Sequence, residues 1–188
     1  MPQFSGLLPS FETPRLRLRP RTMGDFDACM TLDGDPEVIK YIDVPWTDET
    51  SHRKFVKKRL ATVYPEGMGY WSVFAKDKPD AYLGWVILMP LDTLGPEIEI
   101  GWRLARAAWG RGYGPEAAAP LLDHGFRTLT LERIIAIIQP ENTRSARVAE
   151  KIGMRHVGTV DHNGIPALKY EQTREGFNQS DASNLLLQ

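Results

Sequence analysis

The residues that first suggest chemistry are glycines. Trp109-Gly110-Arg111-Gly112-Tyr113-Gly114-Pro115-Glu116-Ala117 sets three glycines at alternate positions. The segment from about Glu97 to Leu104 before them reads as a strand. After them, apolar residues at 118, 121, 122, 126 and 129 form a helical stripe from Pro115 to Leu129. Glycines at a strand–helix junction let backbone N–H groups approach a ligand, and the helix start adds partial positive charge, which suits phosphate. Two familiar phosphate loops do not fit. A P-loop needs Gly-Lys-Ser/Thr where this chain has Gly114-Pro115-Glu116. A dinucleotide loop needs G-x-G-x-x-G and an acid closing the next strand; here the spacing is G-x-G-x-G, and Glu132 precedes that strand. Kinase and dehydrogenase chemistry are both disfavoured.

Other reactive side chains are sparse. Glu97 and Glu99 share one face of their strand, because side chains alternate. Asn142 is a natural helix N-cap, and Ser145 lies three residues on, near the same face of the first turn. His52, His124, His156 and His162 show no metal-ligand spacing, and no metal site is expected. His124, on the loop helix, reads as a partly buried structural histidine. One cysteine, Cys29, excludes an internal disulfide framework and a thiolate-rich metal site. Arg15, Arg17 and Arg19 alternate with leucines and read as the solvated face of a strand.

The elements that must position these residues follow from patterning. A strand at 15–19 precedes a short helix from Asp25 to Leu32, and Asp35-Pro36 marks a turn. Thr47 is a candidate N-cap for a helix running through Phe55, Val56, Leu60 and Val63. Tyr70–Ala75 and Tyr82–Leu88 form a hairpin around Asp77-Lys78-Pro79-Asp80. Pro115 suits the first position of the loop helix, whereas Pro120 predicts a bend or a loosened first turn. Ile134–Ile138 is an apolar strand, and Thr143–Ile152 a helix closed by Gly153. Two last strands, 155–161 and 167–173, meet at Asn163-Gly164, and residues 178–188 read as a tail. The order specifies an α/β or α+β fold with a mixed sheet.

At 188 residues the chain is expected to form one domain. Its net charge of −1 argues against a non-specific nucleic-acid or anionic-membrane binder. No apolar run approaches the roughly 20 residues of a membrane span. Met1-Pro2-Gln3-Phe4-Ser5 has no charged region ahead of an apolar stretch, so a cytoplasmic protein is expected.

The glycine segment resembles the acyl-CoA loop of the GNAT acetyltransferases, and most nearly that of the RimJ/RimL branch, the ribosomal-protein N-terminal acetyltransferases. Four further segments agree in order: Glu12-Thr13-Pro14-Arg15-Leu16-Arg17-Leu18-Arg19; Glu99-Ile100-Gly101-Trp102-Arg103-Leu104; Asn142-Thr143-Arg144-Ser145 with Glu150-Lys151-Ile152-Gly153-Met154; and Tyr170 to Phe177. The likeness covers about 12–177. It implies a mostly antiparallel central sheet of about seven strands flanked by about four helices. The fourth and fifth strands would splay apart to admit acetyl-CoA.

By this resemblance, backbone N–H groups of Arg111, Gly112, Tyr113 and Gly114 hold the pyrophosphate. The backbone of Trp102, Arg103 and Leu104 pairs with the pantetheine arm, and Asn142 and Ser145 face that arm near the sulfur. Many relatives carry a tyrosine four residues after the serine position; here Ala149 stands there, so Ser145 or a water would meet the departing thiolate. Thioester aminolysis also needs a base and an oxyanion donor. Glu99 is the preferred base, with Glu97 or water as alternatives, and the Leu104 N–H is the preferred oxyanion donor. Trp46, Trp71, Trp85 and Trp102 are candidate acceptor-pocket aromatics. The expected activity is N-acetyl transfer from acetyl-CoA to a protein N-terminus or a small amine. A non-catalytic acyl-CoA sensor of the same fold is the alternative, and a homodimer through the last hairpin stays open.

Overall fold

The computed structural model describes residues 8–91 and 95–185. Among them lie eight strands and six α-helices. In chain order these are β1 (Phe11–Glu12), β2 (Leu16–Pro20), α1 (Phe26–Asp33), α2 (Pro36–Ile39), α3 (Glu49–Ala61), β3 (Gly69–Ala75) and β4 (Lys78–Pro90). There follow β5 (Ile98–Leu104), α4 (Tyr113–Asp123), β6 (Arg133–Ile138), α5 (Thr143–Lys151), β7 (Arg155–His162), β8 (Ile165–Thr173) and α6 (Arg174–Leu185). The strands hydrogen-bond in the order β1-β2-β3-β4-β5-β6-β8-β7. The sheet is mixed and mostly antiparallel. β5 and β6 run parallel and share a single register pair, Glu99–Ile135, whereas β6 and β8 share six. Pairing between β5 and β6 is therefore minimal, as expected for splayed strands.

The chain sorts into two compact units. The first takes in residues up to 87 together with 102–117. The second takes in 88–101 and the chain from 118 onward. In the first, Leu16 and Leu18 of β2 and Trp71 and Val73 of β3 are fully buried. Leucine–arginine alternation on a half-buried strand produces this. Arg19 turns back to the N-cap of α1, where Nη1 and Nη2 reach Asp25 at 2.8 and 2.6 Å. Burial pushes the Asp25 carboxyl up, but hydrogen bonds from Arg19, Thr22 and Ser72 outweigh it and hold the group below the usual carboxylate range. In the second unit, Leu88, Ile100, Leu121, Leu122, Ile134 and Ile135 make the core.

Several local expectations change. Asp35-Pro36 opens a one-turn helix, because the Asp35 carboxylate caps Glu37 N at 3.1 Å. Asp48, not Thr47, caps α3: its Oδ1 accepts from Ser51 N at 2.8 Å while Ser51 Oγ accepts from Asp48 N. Lys78 and Pro79 belong to β4, not to the turn before it. α4 begins at Tyr113, so Pro115 is its third residue, and the helix runs through Pro120. The irregularity comes later, as a π-helical turn over His124–Thr128. Of the expected tail, residues 178–185 are helical in α6, anchored by Phe177 against Phe126 at 5.1 Å; 186–188 lie outside the described residues. No described helix is long and apolar enough to cross a membrane.

Candidate active site

The glycine loop is held from its own unit. Gly112 sits at φ +77°, in the left-handed region that disfavours side chains, and its backbone is exposed. A Cβ there would lie 3.3 Å from Arg15 Nη2. Arg15 donates to the Arg111 carbonyl at 2.9 Å and pairs with Glu116 at 2.5 Å. Glu116 Oε1 also accepts from Thr13 Oγ1 at 2.6 Å and from Arg15 N at 2.9 Å. Burial raises the Glu116 carboxyl, but these bonds from Thr13 and Arg15 prevail and hold it below its ordinary value. Arg15 also lies 4.7 Å over the Tyr113 ring, which is buried. Of the three alternating arginines, Arg15 just before β2 is ion-paired to the loop helix and Arg19 to Asp25; Arg17 alone is solvated as expected.

What this builds is an exposed approach, Gly110 to Gly112, to a helix whose first two residues, Tyr113 and Gly114, are buried. The first amides of a helix have no intrahelical acceptor. Gly112 has no side chain to cap them, Pro115 contributes no N–H, and Glu116 is turned onto Arg15 and Thr13. A Cβ at Gly110 would meet nothing within 4 Å. Arg111, Gly112, Tyr113 and Gly114 are the residues expected to act as a phosphate cradle, and they stand together at the start of α4.

The end of β5 joins the loop. Trp109 Nε1 donates to the Leu104 carbonyl at 2.8 Å. On the other side, Ala105 N–H donates to Leu83 O of β4 at 2.8 Å. Backbone groups alternate along a strand, so those of Trp102 and Leu104 face away from β4. The approach of β4 is close: a Cβ on Gly84 would fall 2.0 Å from Arg103 O and 2.8 Å from Leu104 Cα. Arg103 points its guanidinium at Asp33 of α1, with Nη1 to Oδ1 at 2.5 Å.

The second unit holds Glu99, Asn142 and Ser145. Glu99 is half-buried on β5 opposite Ile135 of β6. Glu97 lies just before β5, and its carboxylate accepts from Lys169 Nζ at 2.5 Å. Asn142 caps α5, its Oδ1 accepting from Ser145 N at 3.2 Å. Ala149, one turn past Ser145, is fully buried. The position where many relatives carry a hydroxyl is a packing position here.

A family model described as "Acetyltransferase (GNAT) domain" matches residues 15–155, from Arg15 through the loop and α5 to the start of β7. The chain belongs to the GNAT acetyltransferase family. This GNAT chain is 33% identical over 150 residues to Uncharacterized N-acetyltransferase p20 of Bacillus licheniformis, covering 79% of this chain and 83% of that protein. It is 32% identical over 161 residues to FsC-acetyl coenzyme A-N(2)-transacetylase of Aspergillus fumigatus, covering 80% of this chain and 67% of that protein. Among solved structures it is similar to a GNAT-family acetyltransferase from Bacillus anthracis, with TM-score 0.74 and 30% identity over 89% of this chain and 99% of that one.

Sequence reasoning located the loop but missed its clamp. Thr13, Arg15 and Glu116 meet across about a hundred positions, and no local periodicity marks such a contact. It also missed Asp33 and His52, both buried and 3.4 Å apart. His52 stands on a helix otherwise rich in charge, and that setting was its one available signal. His124 is buried as the sequence suggested.

Proposed function

We propose that this GNAT protein moves an acetyl group from acetyl-CoA to a primary amine, a protein N-terminus or a small molecule, as in the RimJ/RimL branch whose motifs it resembles. The observation that carries the reading is the exposed, side-chain-free helix start at Gly112, braced by Arg15 and Glu116. Arg111 to Gly114 hold the pyrophosphate through backbone N–H groups. The backbone groups of Trp102 and Leu104 pair with the pantetheine arm, those of Arg103 between them facing β4, and Asn142 and Ser145 flank the arm.

The amine nitrogen bonds to the thioester carbonyl carbon and the C–S bond breaks. Amines near pKa 8–10 are mostly protonated at neutral pH, so one proton must first leave. Glu99, directly or through a water, takes it. The Leu104 N–H donates to the carbonyl oxygen as negative charge develops there. The thiolate leaves without a strong acid, because a thiol pKa near 8.5 makes it a fair leaving group. Ser145 or a water donates a hydrogen bond to it.

Free thiol released from acetyl-CoA over a panel of amines and peptides tests the reading. Calorimetric binding of acetyl-CoA with no thiol release for any acceptor marks the sensor alternative, which a buried Ala149 in place of a tyrosine keeps in view. Glu99→Gln should lower kcat/KM by about 10²–10⁴-fold, most at low pH. A mutant-to-parent ratio that stays flat with pH assigns proton removal to water.

A further inference from the structure

A second cluster, wholly within the first unit, carries more cation than its acid balances. The Arg21 guanidinium lies 3.5 Å over the Tyr70 ring. Tyr70 meets Trp85 edge-on at 5.1 Å, and the Arg103 guanidinium lies 4.8 Å over Trp85. Tyr64 packs 5.6 Å from Tyr70. Asp33 is the acid here: one oxygen takes Arg103, and the other lies 3.4 Å from His52 Nε2. Among the described residues Arg21 makes no ion pair. Burial raises the Tyr70 phenol against the opposing pull of the cations Arg21, Arg59 and Arg103.

The polar atoms of this cluster are also unsatisfied. Among the described residues, the buried side-chain nitrogens and oxygens without a hydrogen-bond partner are Arg21 Nη2, Arg103 Nε and Tyr64 Oη. All three belong here. Folded proteins leave few such groups, and each needs an explanation. The two guanidinium nitrogens can only donate, and the phenol can donate as well. Three donors with surplus positive charge call for an anionic acceptor, and a planar guanidinium matches a carboxylate best. The walls are aromatic, so the rest of the ligand meets apolar surface. Arg103 is also the neighbour of Leu104, whose N–H is the proposed oxyanion donor.

We propose that this cluster binds the carboxylate of the acetyl acceptor, which is therefore a small amine of the α-amino-acid type with an apolar side chain. The inference rests on the acetyl transfer proposed above. A polyamine would meet repulsion from Arg21 and Arg103, and an amide would leave the surplus charge unpaired. Tyr64 stands in the connection between α3 and β3, with its ring against Tyr70, which the Arg21 guanidinium overlies.

The experiment compares kcat/KM, by thiol release, for L-phenylalanine, L-phenylalaninamide, spermidine and a peptide with N-terminal phenylalanine. L-Phenylalanine should exceed the other three by about tenfold or more. Arg21→Gln should cut the preference for the acid over its amide by about 10- to 100-fold. Tyr64→Phe, which removes one donor and no charge, should cut it by a smaller factor and covers the case in which Arg21→Gln does not fold. Equal or better rates with the amide, spermidine or the peptide overturn the inference and leave acetyl transfer standing. Acetyl-CoA binding without thiol release for any amine overturns both.

Discussion

The helices α4 and α5 both carry expected ligand residues at their starts, and they treat their orphan amides in opposite ways. α5 caps itself, with Asn142 Oδ1 on Ser145 N. α4 is preceded by a glycine, and its first acid faces Arg15 and Thr13 instead. One start is capped by its own side chain; at the other, Gly112 has no side chain and Glu116 is turned to Arg15 and Thr13. The difference teaches that a helix start can be fixed by its own cap or by a clamp drawn from far along the chain.

The largest test of that contrast is Gly112→Val. The left-handed backbone costs an L-residue about 1–2 kcal/mol, and the new side chain presses on Arg15 Nη2. Acetyl-CoA affinity should fall by about 100-fold, roughly 2.7 kcal/mol, in a calorimetric titration. Unchanged affinity in a folded protein removes the distinction between the two helix starts. Ala149→Tyr comes next. A ring forced into this fully buried position should destabilise by about 1–3 kcal/mol with no gain in turnover, read by thermal melting and thiol release. Faster turnover with an intact melting point would instead show that α5 aims at the sulfur.

Glu116→Gln sharpens the bracing argument. Loss of the carboxylate that holds Arg15 and Thr13 should raise the acetyl-CoA KM about tenfold, near 1.4 kcal/mol. The sign in pH follows from the lowered Glu116 pKa. Its stabilisation is present above the ordinary carboxylate value and is lost as pH falls through the depressed one. Acid weakening of acetyl-CoA binding should therefore be smaller in the variant than in the parent. The smallest effect is Asn142→Ala, about 1 kcal/mol of stability from the lost cap. A matching rise in acetyl-CoA KM gives Asn142 a ligand role as well; stability loss alone leaves it a cap.

Legibility in the sequence tracked how local each cause is. The Asn163-Gly164 turn and the Asn142 cap were readable because each depends on a few neighbouring residues, and both stand as read. The start of α4 shifted to Tyr113, whose buried ring lies under Arg15, a contact no window around Pro115 contains. The last helix was misread because its anchors, Phe126 and the Glu132 carbonyl that accepts from Arg174 N, lie far up the chain. At the site, the glycine spacing was visible, whereas the Arg15–Glu116 clamp and the Arg21–Arg103 cluster arise only when strands are brought together.

Position 84 sets a dimensional tolerance for the site. No ligand contact is assigned to Gly84, yet the missing methyl group there lets β4 seat against Arg103 and Leu104. Any larger residue would shift the strand that we propose both donates the Leu104 N–H to the reacting oxygen and pairs with the pantetheine arm, so turnover and acetyl-CoA affinity would suffer together. A change at a glycine with no ligand contact of its own would then present in kinetics as a loss of both turnover and acetyl-CoA binding.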